Sequence, residues 1–232
     1  MMHDNSGSTR REFLAGAAVT VPSIALGSRA LLSDDCPAAK PAERTWNLAW
    51  VNTIRQATDR AVFDWTSLGK PGEDSMLMIA GRYADNCAAA YEREKYRAVL
   101  VLNARVSAAP AGLHDDIWSR YSLGTEYNIV DPATGSPALR NPFWARASQA
   151  ADANGAAAIP TMQELTNRGA LTLVCDFAIG HLATRLAPKM NRSADDIHQD
   201  LRTHLVPGGF LVPSGIFGLV KAQNAGCGFV RI

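Results

Sequence analysis

Cys175 is the residue of this sequence whose type and position best suit chemistry. It follows the apolar run 171–174, which is too short for a helix and indicates a buried strand, and apolar residues at helical spacing come after it. A thiol at such a joint lies at the carboxyl end of a strand, where parallel α/β sheets bind ligands, and faces helix N–H groups that favour a thiolate. Two interpretations stay open: a reactive cysteine, or a small buried hydrophobe whose charged form Asp176 disfavours.

A second turn brings further candidate groups to the same edge. Ser214 and Gly215 lie between the apolar run 210–212 and a helical stretch at 216–224, and such a turn exposes backbone N–H groups to an anion or a carbonyl. Asn103 closes the apolar run 99–102 at its carboxyl end. We therefore predict Cys175 as the catalytic candidate and Asn103, Ser214 and Gly215 as ligand-binding candidates. A reactive Cys175 would lie in a shallow pocket beside the 213–215 turn and be at least partly open to solvent.

The other cysteines and histidines show no metal pattern. Cys36, Cys87, Cys175 and Cys227 include no CxxC pair and have no histidine at zinc-ligand spacing. The chain also lacks the GxSxG and GxGxxG motifs. We predict no metal site and no cofactor. His181 follows Cys175 by six residues and could approach the thiol only across a tight turn.

The elements that must hold these residues alternate between strands and helices. Four apolar runs, at 60–65, 99–102, 171–174 and 210–212, predict parallel strands of one sheet. The stretch 227–232 predicts a short last strand at an edge. Helices are predicted from Asp74 or Ser75, from a capping box of Thr161 with Glu164, and from Ser193 to His204. The less periodic stretch 104–154 predicts an elaborated loop region over the binding edge, with a short helix at 115–121.

The N-terminus carries an export signature. Arg10 and Arg11 precede Glu12-Phe13-Leu14 and a mild apolar run, a pattern that resembles a twin-arginine signal peptide. The run is too short and too interrupted for a membrane span. We predict a cleaved signal at 1–30, a linker at 31–58 and a folded domain at 59–232. The mature protein would then be periplasmic and not stably inserted in the membrane.

Composition narrows the class of protein. The 232 residues are 47% hydrophobic and 19% charged with a net charge of +1, which suits one globular domain. Lysines and arginines are scattered, so the basic stripe of a nucleic-acid-binding protein is missing. We predict no nucleic-acid partner.

Several of these stretches together resemble exported members of the DsrE/DsrF-like family. They are the joint at Cys175, the turns at 205–209 and 211–215, and the ending at 222–227; the resemblance covers roughly 60–232. It implies a single three-layer α/β domain around a mostly parallel five-stranded sheet, related to sulfur-relay proteins whose cysteine carries a persulfide. Only Cys175 matches as a candidate sulfur carrier.

Three functions stay open at this point. The first is an exported persulfide carrier that uses Cys175 and exchanges sulfur with a donor or acceptor protein. The second is a periplasmic module that binds a small ligand or a partner and in which Cys175 is structural. The third is a thiol redox protein in which Cys227 resolves a disulfide with Cys175, which requires Cα atoms roughly 4.4 to 6.8 Å apart. A homo-oligomer is compatible with all three.

Overall fold

The structure, a computed structural model, describes residues 46–91, 98–145 and 159–231. The predicted signal peptide and Cys36 lie outside these residues. The strands are β1 (Asp59–Trp65), β2 (Ala98–Ala104), β3 (Leu171–Cys175), β4 (Gly209–Val212) and β5 (Gly228–Val230). The helices are α1 (Ala49–Arg55), α2 (Ser75–Ala90), α3 (Asp115–Arg120), α4 (Leu123–Glu126), α5 (Met162–Asn167), α6 (Asp176–Met190), α7 (Ala194–Thr203) and α8 (Gly215–Asn224), and a 3₁₀ helix (Val106–Gly112) follows β2.

All five strands form one parallel sheet in the order β4-β3-β2-β1-β5. Val62 pairs with Val101 across β1 and β2, and Val174 pairs with Leu211 across β3 and β4. The prediction that the four apolar runs lie parallel in one sheet is confirmed, and so is the edge position of β5. Because the strands are parallel, β2, β3 and β4 all present their carboxyl ends at the same edge.

Helices cover both faces of the sheet, which makes three layers. The strand residues alternate between the two faces: Phe63 and Leu102 belong to a core with α2 and α6, whereas Val62 and Val101 belong to a second core with α1 and α8. The fold is therefore the three-layer α/β class that the sequence predicted.

Side chains at the helix N-termini explain where several helices begin. Asp74 accepts hydrogen bonds from the N–H groups of Met76 (3.0 Å) and Leu77 (3.1 Å), and so caps α2. At α5 the Thr161 hydroxyl accepts from the Glu164 N–H (3.2 Å) while the Glu164 carboxylate accepts from the Thr161 N–H (2.6 Å). This is the predicted capping box.

Two regions differ from the sequence interpretation. Helix α1 lies within the segment 31–58 that was assigned to a linker, and its Trp50 and Ile54 are fully buried against α8 and the sheet. In the segment 104–154, α3 matches the predicted short helix, but the 3₁₀ helix before it is not an exposed loop, because its residues 108–112 are buried. No helix among the described residues has the length and apolar character needed to cross a membrane.

Candidate functional site

Cys175 ends β3 and caps α6. Its Sγ accepts hydrogen bonds from two backbone N–H groups, those of Ala178 (3.3 Å) in the first turn of α6 and Gly215 (3.1 Å) at the start of α8. With 4% of the residue exposed, Cys175 is more buried than the partly open thiol that the sequence predicted for a reactive cysteine. The reason is that the starts of two helices, rather than one, enclose the sulfur.

The start of α8 reaches Cys175 because residue 215 is a glycine. A Cβ at this position would lie 2.4 Å from the Cδ and 2.5 Å from the Cβ of Arg105, so any side chain would force the two segments apart. Ser214 caps the helix with its hydroxyl, which accepts from the Phe217 N–H (3.2 Å). The structure thus brings Cys175, Ser214 and Gly215 together, and Gly215 acts through its backbone.

A cavity of about 340 Å³ opens above Cys175 at the carboxyl edge of the sheet. Its lining comes from three places in the fold: the segment after β2, the end of β3 with one face of α6, and the start of α8, with one residue from the loop after α4. The lining residues are Arg105, Val106, Ser107, Tyr127, Cys175, Phe177, Ala178, His181, Arg185, Ser214, Gly215 and Ile216. Cys175 therefore lines this cavity although only 4% of the residue is exposed.

Arg105 forms one wall and is held by Asp64. Its Nε and Nη2 donate to the two carboxylate oxygens of Asp64 at 2.5 and 2.7 Å, a bidentate pair in which Asp64 is buried. The hydrogen bonds to Asp64 raise the pKa of Arg105 above its ordinary value, so the guanidinium stays charged. Asp64 and Arg105 sit at the carboxyl ends of the adjacent strands β1 and β2, which fixes this wall to the sheet.

Arg185 and Tyr127 also line the cavity, and Glu126 pairs with Arg185. Arg185 donates to the Glu126 carboxylate (3.1 Å) and to the Tyr127 hydroxyl (2.9 Å), and Lys189 also pairs with Glu126. Burial acts to raise the pKa of Glu126, but the hydrogen bonds from Lys189 and Arg185 outweigh it and lower that pKa. Both cations that line the cavity therefore already pair with a carboxylate.

His181 lines the same cavity as Cys175, and the segment between them is the start of helix α6. Its ring contacts Phe177 edge-on, with the centroids 4.5 Å apart. No hydrogen bond joins His181 to Cys175, both of which are described. His181 is placed to affect the site by shape rather than as a base already bonded to the thiol.

Asp176 is engaged away from the thiol. Its two carboxylate oxygens pair with His198 Nε2 (2.9 Å) and Arg202 Nη1 (3.2 Å), both on α7. These two bonds tie the Asp176 carboxylate to helix α7.

Asn103 lies behind the site rather than in it. It is completely buried, its amide Nδ2 donates to the Gly215 carbonyl (3.2 Å), and its Oδ1 has no hydrogen-bond partner. A Cβ on Gly218 would lie 2.7 Å from that oxygen, so Asn103 packs directly under α8. It is not among the cavity-lining residues and positions Gly215 instead.

The remaining described cysteines, Cys87 and Cys227, are buried and free. Cys227 precedes β5, and two strands separate β5 from the β3 strand that carries Cys175. Three strand spacings amount to roughly 14 Å, well beyond the ~6.8 Å between Cα atoms that a disulfide permits. The hypothesis that Cys227 resolves a disulfide with Cys175 within one chain is wrong.

Several cavity residues were not predicted from the sequence. Arg105 follows β2 directly, a position that could have identified it. Phe177 and Ile216 are apolar but fall outside the buried stripes of α6 and α8, and each is 66% exposed. Apolar residues in a first helical turn, off the buried face and beside a candidate cysteine, are the signal that could have indicated them.

No group of three metal-ligating side chains exists among residues 46–91, 98–145 and 159–231. Comparisons of the chain with protein-family models, with curated proteins and with solved structures found no match.

Proposed function

We propose that this protein is an exported, DsrE-like sulfur carrier that holds a persulfide on Cys175. The observation that supports this most strongly is the position of the Cys175 Sγ, at the floor of a cavity with two backbone N–H groups directed at it. Backbone donors at a helix start stabilise an anion, and the thiolate is the nucleophilic form of a cysteine.

The proposed step is a transfer of sulfane sulfur. The Cys175 thiolate attacks the terminal sulfur of a donor, a new S–S bond forms at Sγ, and the S–S bond of the donor breaks. The electron pair leaves on the inner sulfur of the donor, which takes up a proton. No external oxidant or reductant is needed, because one S–S bond replaces another.

Burial fits a carrier better than a general thiol. A persulfide at the floor of the cavity is shielded from thiols that cannot enter, whereas a donor or acceptor that fits the opening reaches it. The Ala178 and Gly215 N–H groups that hold Sγ also fix the direction in which the added sulfur projects.

The export part of the proposal rests on the Arg10-Arg11 signature, which lies outside the described residues. A periplasmic carrier works where thiols are often oxidised. Cys175 must therefore be protected from oxidation. The cavity gives this protection, because large oxidised partners cannot reach Cys175 through it.

A second candidate function is binding of a small ligand with Cys175 as a structural cap. The observation that favours it is that Sγ already serves as the N-cap acceptor of α6 and is almost fully buried. The Cys175→Ser variant distinguishes the two candidate functions. The serine hydroxyl can replace the sulfur as the N-cap of α6, but it cannot hold a persulfide.

The experiment is incubation of the reduced protein with a small organic persulfide, benzyl persulfide, followed by intact mass spectrometry. The proposal predicts a gain of one sulfur atom that dithiothreitol removes, that Cys175→Ser abolishes, and that the control variants Cys87→Ser and Cys227→Ser retain. A gain that persists in Cys175→Ser would contradict it. A folded Cys175→Ser protein that still binds small apolar molecules, together with a wild type that takes up no sulfur, would favour the ligand-binding function.

A further inference from the structure

We infer that the cavity above Cys175 selects small organic persulfides whose carbon group is apolar, in preference to charged sulfur donors. The sulfur transfer itself rests on the proposed function. The preference for an apolar group rests on the walls of the cavity, which are independent of the thiol.

The opening of the cavity has an apolar rim built from three separate segments. Val106 follows β2, Phe177 lies in the first turn of α6 and Ile216 in the first turn of α8, and all three line the cavity. Their exposed fractions are 56%, 66% and 66%. Single exposed apolar residues are common on proteins, but three around one opening form a surface that gains free energy when an apolar group covers it.

The two arginines of the walls already have carboxylate partners. Arg105 is paired with Asp64, Arg185 is paired with Glu126, and the Ser214 hydroxyl accepts from a backbone N–H. A charged donor entering the cavity would lose water without gaining a free cation, and burial of a charge that lacks a partner is costly. An uncharged carbon group loses little and covers the rim.

The volume of the cavity is large enough for one small molecule. About 340 Å³ lies in the range of ordinary small-ligand sites. A ring of benzyl size fits this volume, and Phe177 and Ile216 are among the apolar residues that it would contact. The transfer requires that the terminal sulfur of the donor faces Sγ.

The first test compares two donors that share the persulfide group and differ in the carbon group, benzyl persulfide and glutathione persulfide. For each donor, the rate of sulfur transfer to Cys175 is divided by the rate of sulfur transfer from the same donor to N-acetylcysteine. This ratio corrects for the difference in intrinsic reactivity between the two donors. We expect the normalised rate to be roughly tenfold or more higher for the benzyl donor, because burial of an apolar ring is worth at least that factor. A glutathione donor that is equally fast or faster would overturn the inference.

The second test measures binding without chemistry. Benzyl methyl sulfide and S-methylglutathione are titrated into the Cys175→Ser protein, and the amide resonances of Ala178 and Gly215 are followed by NMR. Benzyl methyl sulfide should shift both amides, S-methylglutathione should not, and a further Phe177→Ser change should weaken the binding by about tenfold. The matched control Leu139→Ser, which removes another exposed apolar residue (63%) outside the cavity, should leave it unchanged.

The two proposals fail in different ways. In one outcome, benzyl methyl sulfide shifts these amides but Cys175 of the wild type accepts no sulfur from either donor. That outcome would overturn the proposed function and support the preference of the cavity for apolar groups. Sulfur addition at Cys175 without any such binding, or with equal binding of S-methylglutathione, would overturn the preference and support the carrier.

Discussion

At the scale of single residues, the sulfur of Cys175 is the feature that the neighbouring backbone is arranged around. Two N–H groups from different helices converge on one Sγ. A serine hydroxyl would cap α6 at least as well, since serine is among the preferred N-cap residues and sulfur is a weak acceptor. Capping alone therefore does not require a cysteine, whereas sulfur chemistry does.

The Gly215→Ala change should separate α8 from Cys175. The added methyl group would meet the Arg105 side chain at 2.4 Å, so the Gly215 N–H should move away from Sγ. We expect a loss of about 1–3 kcal/mol of unfolding free energy from overpacking and slower sulfur uptake by the folded variant. Urea unfolding and intact mass spectrometry measure these effects. The control Gly228→Ala, where the nearest atom would be 3.8 Å away, should show neither.

Part of the site was predictable residue by residue. Cys175, Ser214 and Gly215 were predictable because each stands where an apolar run ends and a helix begins, and parallel strands bring such places to one edge. The direction of a side chain was not predictable: Asn103 stands at the right strand end but points under α8. The walls formed by Arg105 and Arg185 depend on carboxylates distant in the sequence, Asp64 and Glu126, whose pairing no local pattern indicates.

At the scale of elements, carboxylates tie helices to one another around the site. Glu126 of α4 pairs with Arg185 and Lys189 of α6, and Asp200 of α7 pairs with Arg120 of α3. Burial acts to raise the pKa of each carboxyl, but the hydrogen bonds of its partners lower it below the ordinary value. These contacts join the helices that carry and support one wall of the cavity.

The folded protein should lose stability in acid through these pairs. A carboxyl whose pKa is lower in the folded state contributes stability above its unfolded pKa, about 4, and loses it as the pH falls through the lower folded value. The free energy of unfolding in urea should therefore fall between about pH 5 and pH 2, less steeply in Glu126→Gln and Asp200→Asn. Slopes in both variants equal to that of the wild type would contradict this assignment.

Helix α1 shows why part of the fold could not be predicted from the sequence. It is short, and the apolar runs that identified the strands are absent from it, so only tertiary packing reveals that Trp50 and Ile54 belong to the core. The strands, in contrast, were predictable because parallel strands buried on both faces are continuous apolar runs. The position of β5 beside β1 was not predictable, because the two paired strands lie at opposite ends of the folded domain's sequence.

Helix α1 should contribute to stability as part of the domain. Trp50→Ala removes a fully buried side chain and should lower the free energy of unfolding by about 3–5 kcal/mol. The neighbouring Leu48→Ala, at a residue 38% exposed, should change it by less than about 0.5 kcal/mol. Equal, small effects of both changes in urea unfolding would show that this segment acts as a linker.

At the scale of the whole molecule, the proposal joins an export signature to a carrier site. Replacement of Arg10 and Arg11 by lysine should keep the precursor in the cytoplasm, because the twin-arginine route reads that pair. Cell fractionation followed by immunoblotting measures this. Undiminished export of the double variant would refute the predicted route without bearing on Cys175.

The most direct test of the central claim is the intact mass of the protein isolated from the periplasm of its own cells, measured before and after reduction. We predict a mature form that is heavier by one sulfur atom, that loses this atom on reduction, and whose added sulfur maps by peptide sequencing to Cys175. The Cys175→Ser protein, isolated in the same way, should lack it. Native protein that carries no sulfur on Cys175, before or after exposure to sulfane donors, would contradict the account.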